Sequence, residues 1–252
     1  MRNTYRFLTI ASLVLLLVSV GSSQIFFGGH IGFKSYGLKG AYKTATPNGV
    51  NVGNVADAGK TGFIVGIEGG YQIFPEDFAG GWYKLDLGLE ADYTSVSFLE
   101  AGYNSQFGAG KFAADGLSGG STTIFSFDIM PVHRLTIPKF RLLSPYAGLG
   151  LSINFLGTKD LTVGNQGGST PGTLTGNSET KIGLLVFYGV NLQASEIIHP
   201  YLQFKHMIPF GSESQFTQSF QPTGGGGASN VAISVQDVPG YFGITAGVRI
   251  TL

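Results

Sequence analysis

The sequence contains no cysteine. That removes disulfide frameworks, thiolate metal sites, cysteine nucleophiles and any anchor that needs an N-terminal cysteine thioether. Charge is scarce too: Asp, Glu, Lys and Arg make up 12% of the chain, against roughly 25% in ordinary soluble domains. Basic and acidic side chains number 15 each, so no net field steers the chain to nucleic acid, and no nucleic-acid partner is expected. Beyond the N-terminus no apolar run reaches the roughly 20 residues of a transmembrane helix. What the chain has instead is glycine, 40 of 252 residues, and aromatics at 13%. The length suits one domain.

Residues 1–23 read as a secretory signal peptide. Arg2 and Arg6 form a basic start, Phe7 to Val20 is a 14-residue, mostly apolar stretch, and Gly21, Ser22 and Ser23 supply small residues for cleavage before Gln24. The stretch is too short for a membrane span and is interrupted by Thr9, Ser12 and Ser19. Its removal leaves 13 basic and 15 acidic side chains, a formal charge of minus two.

Residues 24–252 alternate between apolar and polar or small residues with the period of two that marks a strand. Ile25, Phe27, Ile31 and Phe33 oppose Gly28, His30, Gly32 and Lys34. The pattern returns around 62–73, 83–93, 125–129, 147–155, 183–193 and 242–252, and more weakly over Leu202 to Phe210. Eight strands are predicted, with ten still open because residues 37–60 have room for another hairpin. The connections 37–60, 99–121, 157–180 and 211–238 are long and rich in Gly, Ser, Thr and Asn. They alternate with the short connections 75–81, 131–144 and 195–200. The fold class expected is all-β: an eight-stranded antiparallel up-and-down transmembrane β-barrel with long mobile loops at one end and short turns at the other.

Alternation alone fits a soluble lipocalin-like barrel with an apolar interior as well as a membrane barrel with an apolar exterior. The charges favour the second. His30, Lys34, Glu68, Lys84, Asp86, Glu90, Asp92, Asp128 and Arg249 share one parity, whereas a soluble barrel would spread many charges over its larger outer face. Glycine crowds the same parity, as expected where eight strands leave little interior space. The charged set is therefore predicted to be a paired lumen network, with Lys84 beside Asp86. Leu185 and Phe187 break the pattern by placing apolar side chains on the inward parity. Tyr71, Phe74, Trp82, Tyr83, Tyr93, Phe98, Phe155, Tyr201, Tyr241 and Phe242 fall near strand ends, where interfacial girdles form.

The C-terminal strand has polar Thr245, then Gly247, apolar Ile250 and a final apolar Leu252, and Pro145 to Leu151 opens another strand with Pro-Tyr-x-Gly-x-Gly. In these features and in its architecture the chain resembles the small bacterial outer-membrane β-barrels: the OmpA transmembrane domain and its OmpX and OmpW-like relatives. It departs from them in ending on Leu rather than Phe. The resemblance implies a monomer in the outer membrane, reached by export, in contact with outer-membrane lipid. It also implies recognition by the barrel-assembly machinery through Thr245, Gly247, Ile250 and Leu252, and an extracellular ligand for the loops.

No enzyme is expected. His30 can join an acid-base cluster with Lys34, Glu68 and Arg249, but a paired polar core accounts for it as well. His133 and His199 fall in the predicted short turns. His206, in the stretch Gln203 to Pro209, resembles the histidine of lipid A deacylase barrels, but Ile208 and Pro209 stand where serine and asparagine are needed. The tetraglycine Gly224 to Gly227 lacks the Lys-Ser of a phosphate loop. No metal or cofactor is expected. A non-enzymatic structural or surface-contact barrel with a charge-plugged lumen is the leading reading, and a narrow conduit for small or hydrophobic solutes is the alternative.

Overall fold

The computed structural model describes residues 24–46, 49–73, 78–98, 100–101, 104, 108–114, 116–136, 142–163, 172–210, 222–223, 233–235 and 240–252. The predicted signal peptide, Phe74 and the tetraglycine lie outside this set. The strands are β1 (Ile25–Thr46), β2 (Gly49–Gln72), β3 (Tyr83–Val96), β4 (Leu117–Gly119), β5 (Thr122–Leu135), β6 (Leu143–Thr158), β7 (Leu161–Val163), β8 (Gly172–Leu174), β9 (Ser178–Leu192), β10 (Ile198–Pro209), β11 (Pro222–Thr223), β12 (Ile233–Val235) and β13 (Tyr241–Thr251).

Antiparallel ladders run in the order β1, β13, β10, β9, β6, β5, β3, β2, and β2 pairs with β1 to close the ring. The result is an eight-stranded barrel without an edge, which a hydrocarbon environment demands of any β-structure. The start of β1 and the end of β13 meet at one rim, where the Leu252 amide donates to the Ile25 carbonyl at 2.8 Å. The short connections share that rim, and the long ones leave from the other.

Side-chain burial is inverted relative to a soluble protein. Ile67, Leu149 and Phe33 are 69%, 61% and 57% exposed, while Lys34, Glu90 and Arg249 are 0%, 1% and 2% exposed. Water would penalise that arrangement on both faces, whereas lipid outside and paired charge inside satisfies it. Toward the loop rim the outward apolar residues end on exposed aromatics, Phe33, Phe63, Tyr93, Phe125, Phe155 and Phe242. Two residues farther out stand Ser35, Thr61, Ser95, Thr123 and Gly157 on the first five of those strands. This boundary matches an interfacial girdle. Phe98, Tyr201 and Tyr241, expected in the girdles, are instead buried in the lumen.

On the loop side the described residues hold further β-structure. Residues 37–60 hold no additional hairpin: β1 and β2 continue through them, pairing as far as Thr46 with Gly49, which extends the ladder about 30 Å beyond Tyr36. A bulge between Leu38 and Gly40 accommodates the change in register. β12 lies along the upper part of β1. Short strands β4, β7, β8 and β11, drawn from three different connections, form a separate four-stranded sheet.

Candidate functional site: the lumen

Each barrel strand turns alternate side chains inward, so the lumen is read from every second residue. Near the loop rim it is apolar. Tyr36, Val96, Phe98, Ile124, Leu156, Met207 and Tyr241 pack together, with Tyr36 edge-on to Phe98 at 5.5 Å and to Tyr241 at 5.7 Å. Phe98 comes from the connection after β3, so a loop residue supplies part of this cap.

Beneath the cap lies the central charge cluster. Lys205 Nζ pairs with Glu90 Oε1, with Asp92 Oδ2 at 3.1 Å and with Asp128 Oδ2 at 3.3 Å. Lys34 Nζ lies 2.8 Å from Asp92 Oδ2 and donates to Ser126 Oγ at 3.0 Å, with the Tyr241 ring 4.2 Å away. His30 Nε2 is 2.9 Å from Glu90 Oε1 and also contacts Asp92 Oδ1. Ser126 Oγ donates onward to Asn154 Oδ1 at 2.7 Å. Gly66, beside His30 in the ladder, is required here: a methyl group on it would overlap His30 Nε2 and Asp92 Oδ1.

Closer to the terminus rim, Arg249 Nη2 is 2.6 Å from Glu68 Oε2. Its guanidinium lies 4.4 Å from the Phe26 ring and 5.2 Å from that of Tyr201. Arg134 Nη2 pairs with Asp86 Oδ2. Met130, Val132, Leu185 and Phe187 are buried along one side of the lumen, so the inward parity of Leu185 and Phe187 is real and forms part of an apolar lane.

Of the nine candidate network residues, His30, Lys34, Glu90, Asp92 and Asp128 meet in the central cluster, and Glu68 and Arg249 form a separate pair. Lys84 stays half-buried at the terminus rim, and Asp86 pairs with Arg134. His30 is therefore joined to β3 carboxylates, not to Glu68 or Arg249. Thr245 is fully buried on the inner face with its hydroxyl 3.4 Å from Gln203 Oε1, and Leu252 is exposed on the outer face.

Two cations of the network were not anticipated. Lys205 lies in the strand of weakest alternation, because His206 points outward and Met207 inward, the reverse of the usual polarity. Arg134 follows Pro131, which reads as a strand end. β5 nevertheless runs on to Leu135, and its ladder with β6 skips residues 130–132 around that proline.

His133 and His199 correspondingly stand on strands rather than in turns, and Tyr83 Oη lies 2.7 Å from His133 Nδ1 on the outer surface. His206 faces outward, between Val186 and Phe242 in the ladders. Neither of these apolar ladder neighbours offers the imidazole a group to activate. His30, Glu90 and Asp92 offer three ligand atoms within 4.8 Å of one another. The ammonium groups of Lys34 and Lys205 already neutralise those carboxylates, so a metal ion there would face two fixed cations.

An edgeless eight-stranded barrel with an apolar outside and a paired polar inside is a small barrel of the outer-membrane type. Solved structures agree with that class. The fold is similar to outer membrane protein OprG from Pseudomonas aeruginosa (12% identity, covering 90% of this chain and 95% of that one, TM-score 0.50). It is also similar to a major outer membrane protein from Thermus thermophilus (13% identity, 89% and 99% covered, TM-score 0.50). No family model matches the sequence, and no curated protein matches it.

Proposed function

We propose that this protein is a non-enzymatic barrel of the bacterial outer membrane, exported by the signal peptide in residues 1–23 and working as a monomer. In this reading the lumen is closed and the loop-side β-structure makes the surface contacts. The observation that carries closure is the burial of the central cluster: Lys34, Lys205, Glu90 and Asp128 are each no more than 1% exposed, beneath an apolar cap. A conducting lumen would hydrate such groups. The C-terminal residues Thr245, Gly247, Ile250 and Leu252 serve in this reading as the signal to the assembly machinery.

Single-channel recording in a planar bilayer tests closure, with a heat-shift gel showing that the inserted material is folded. A folded barrel is expected to be silent, and discrete, reproducible openings would refute the reading. A narrow conduit for hydrophobic solutes is the second reading, supported by the apolar lane of Met130, Val132, Leu185 and Phe187. Uptake of an apolar dye into vesicles holding the barrel, abolished by Leu185→Arg, would favour it.

A further inference from the structure

The lumen end nearest the chain termini is paired less completely than the centre. Arg249 uses Nη2 on Glu68, while its Nε and Nη1 have no partner among the described residues. Arg134 Nε, the hydroxyls of Tyr146 and Tyr201 and both polar atoms of the Asn191 side chain are likewise unpartnered. Most of these residues are enclosed: Arg249 and Asn191 are 2% exposed and Tyr146 and Tyr201 4%, while the Arg134 side chain is 12% exposed. Folded proteins satisfy nearly all such atoms, so a set of them in one place points to an occupant.

They are in one place. Arg134 faces Tyr146 across the β5–β6 ladder, Asn191 faces Tyr201 across β9–β10, and Arg249 follows two residues after the Gly247 that faces Tyr201. The Arg249 guanidinium carbon is 5.2 Å from the Tyr201 ring and 6.0 Å from that of Tyr146. Glycine makes the arrangement possible: a methyl group on Gly189 would fall 2.6 Å from the Tyr146 hydroxyl, and one on Gly247 2.6 Å from the Tyr201 ring.

The unmet atoms also tell what the occupant is. Six can donate: Arg249 Nε and Nη1, Arg134 Nε, Asn191 Nδ2 and the two phenols. The two phenols can also accept, and only Glu68 Oε1 and Asn191 Oδ1 are limited to accepting. Charge has the same sign. Arg134, Arg249 and Lys84 outnumber Glu68 and Asp86. Lys84 and His199, at the terminus rim, are half-buried, so this end of the lumen lies nearest to solvent on that side.

We propose that this chamber binds a small oxyanion, a phosphate or a carboxylate, admitted from the periplasmic side. Its multiple acceptor oxygens and negative charge match an excess of donors on fixed cations. The site depends on the same packed lumen as the closed-barrel reading, but conductance tests closure while anion binding tests the chamber, so either can fail alone.

The test is calorimetric titration of the refolded full-length mature chain in detergent micelles with sodium phosphate, sodium sulfate and sodium acetate, each in turn. Saturable binding of at least one of the three, with one anion per barrel, is expected. Tyr201→Phe and Asn191→Leu remove donors without touching either Arg–carboxylate pair, and each should weaken binding about tenfold. The lipid-facing Tyr93→Phe should bind as the parent does. Folding of every variant is checked by the heat-shift gel, and if Asn191→Leu fails to fold, Tyr146→Phe replaces it. No saturable binding to the folded parent would overturn the proposal. So would unchanged affinity in both donor variants.

Discussion

Lys205 is the side chain on which the central cluster depends most. It reaches three carboxylates, and for Asp128 it is the one cationic partner among the described residues, since Lys34 supports Asp92 and His30 supports Glu90. Replacing it with methionine keeps most of the volume and removes the charge. Truncating one partner of a buried ion pair costs about 3–5 kcal/mol, because an uncompensated charge stays behind. Lys205→Met should therefore lose about that much unfolding free energy, a change of a hundredfold or more in the unfolding equilibrium. The double variant Lys205→Met with Asp128→Asn removes the most isolated of the stranded carboxylates and should recover about half of the loss. Urea unfolding in phospholipid vesicles measures both. The single tryptophan, Trp82, reports the transition because it is exposed on the outer face, where its surroundings change from lipid to water. A loss below about 1 kcal/mol, or a double variant no more stable than the single one, would mean that the cluster is hydrated and loosely paired. The closed-lumen reading would then fall with it.

Other consequences follow from the same geometry. Either Glu68→Ala or Arg249→Ala should destabilise the barrel by about 3 kcal/mol or make it leakier, read by urea unfolding and by ion leakage from vesicles; no change in either variant would dissolve the pair. Gly66→Ala, which forces a methyl group between His30 and Asp92, should cost about 1–3 kcal/mol and lower the temperature of the heat shift on gels. Phe98→Ala should cost about 3 kcal/mol by emptying the loop-side cap, and hydrogen exchange should speed up first in the outer ends of β3 and β5. His206→Leu should be neutral or stabilising by about 1 kcal/mol in vesicles, since the imidazole faces lipid; a loss above about 2 kcal/mol would place it in contacts that the structure lacks.

The strands and their inward faces were legible because alternation is a local property. A residue's parity within its own strand puts Ile67 and Glu68 on opposite faces with no knowledge of its neighbours, and the shared parity of the charges tells which face is the lumen. The reading weakened where local chemistry ran against the fold. Pro131 hid the continuation of β5 and with it Arg134, although a proline at a gap in the ladder costs no hydrogen bond. The outward His206 and inward Met207 blurred the strand that carries Lys205. The loop-side extension of β1 and β2 was harder to read because the apolar residues of 37–60, such as Leu38, Tyr42 and Val50, do not alternate as regularly as those of the barrel strands.

By itself, then, the sequence determined a cysteine-free chain whose strands wear apolar residues on one side and glycine and charge on the other. Which charges meet was decided by tertiary structure. His30 and Asp92 are 62 positions apart, Arg249 and Glu68 181. Only ring closure and the register of each ladder bring those side chains to one level of the lumen. The same closure gathers Arg134, Tyr146, Asn191, Tyr201 and Arg249 from five strands into one donor-rich chamber, because a barrel turns residues that are distant in sequence toward a common axis.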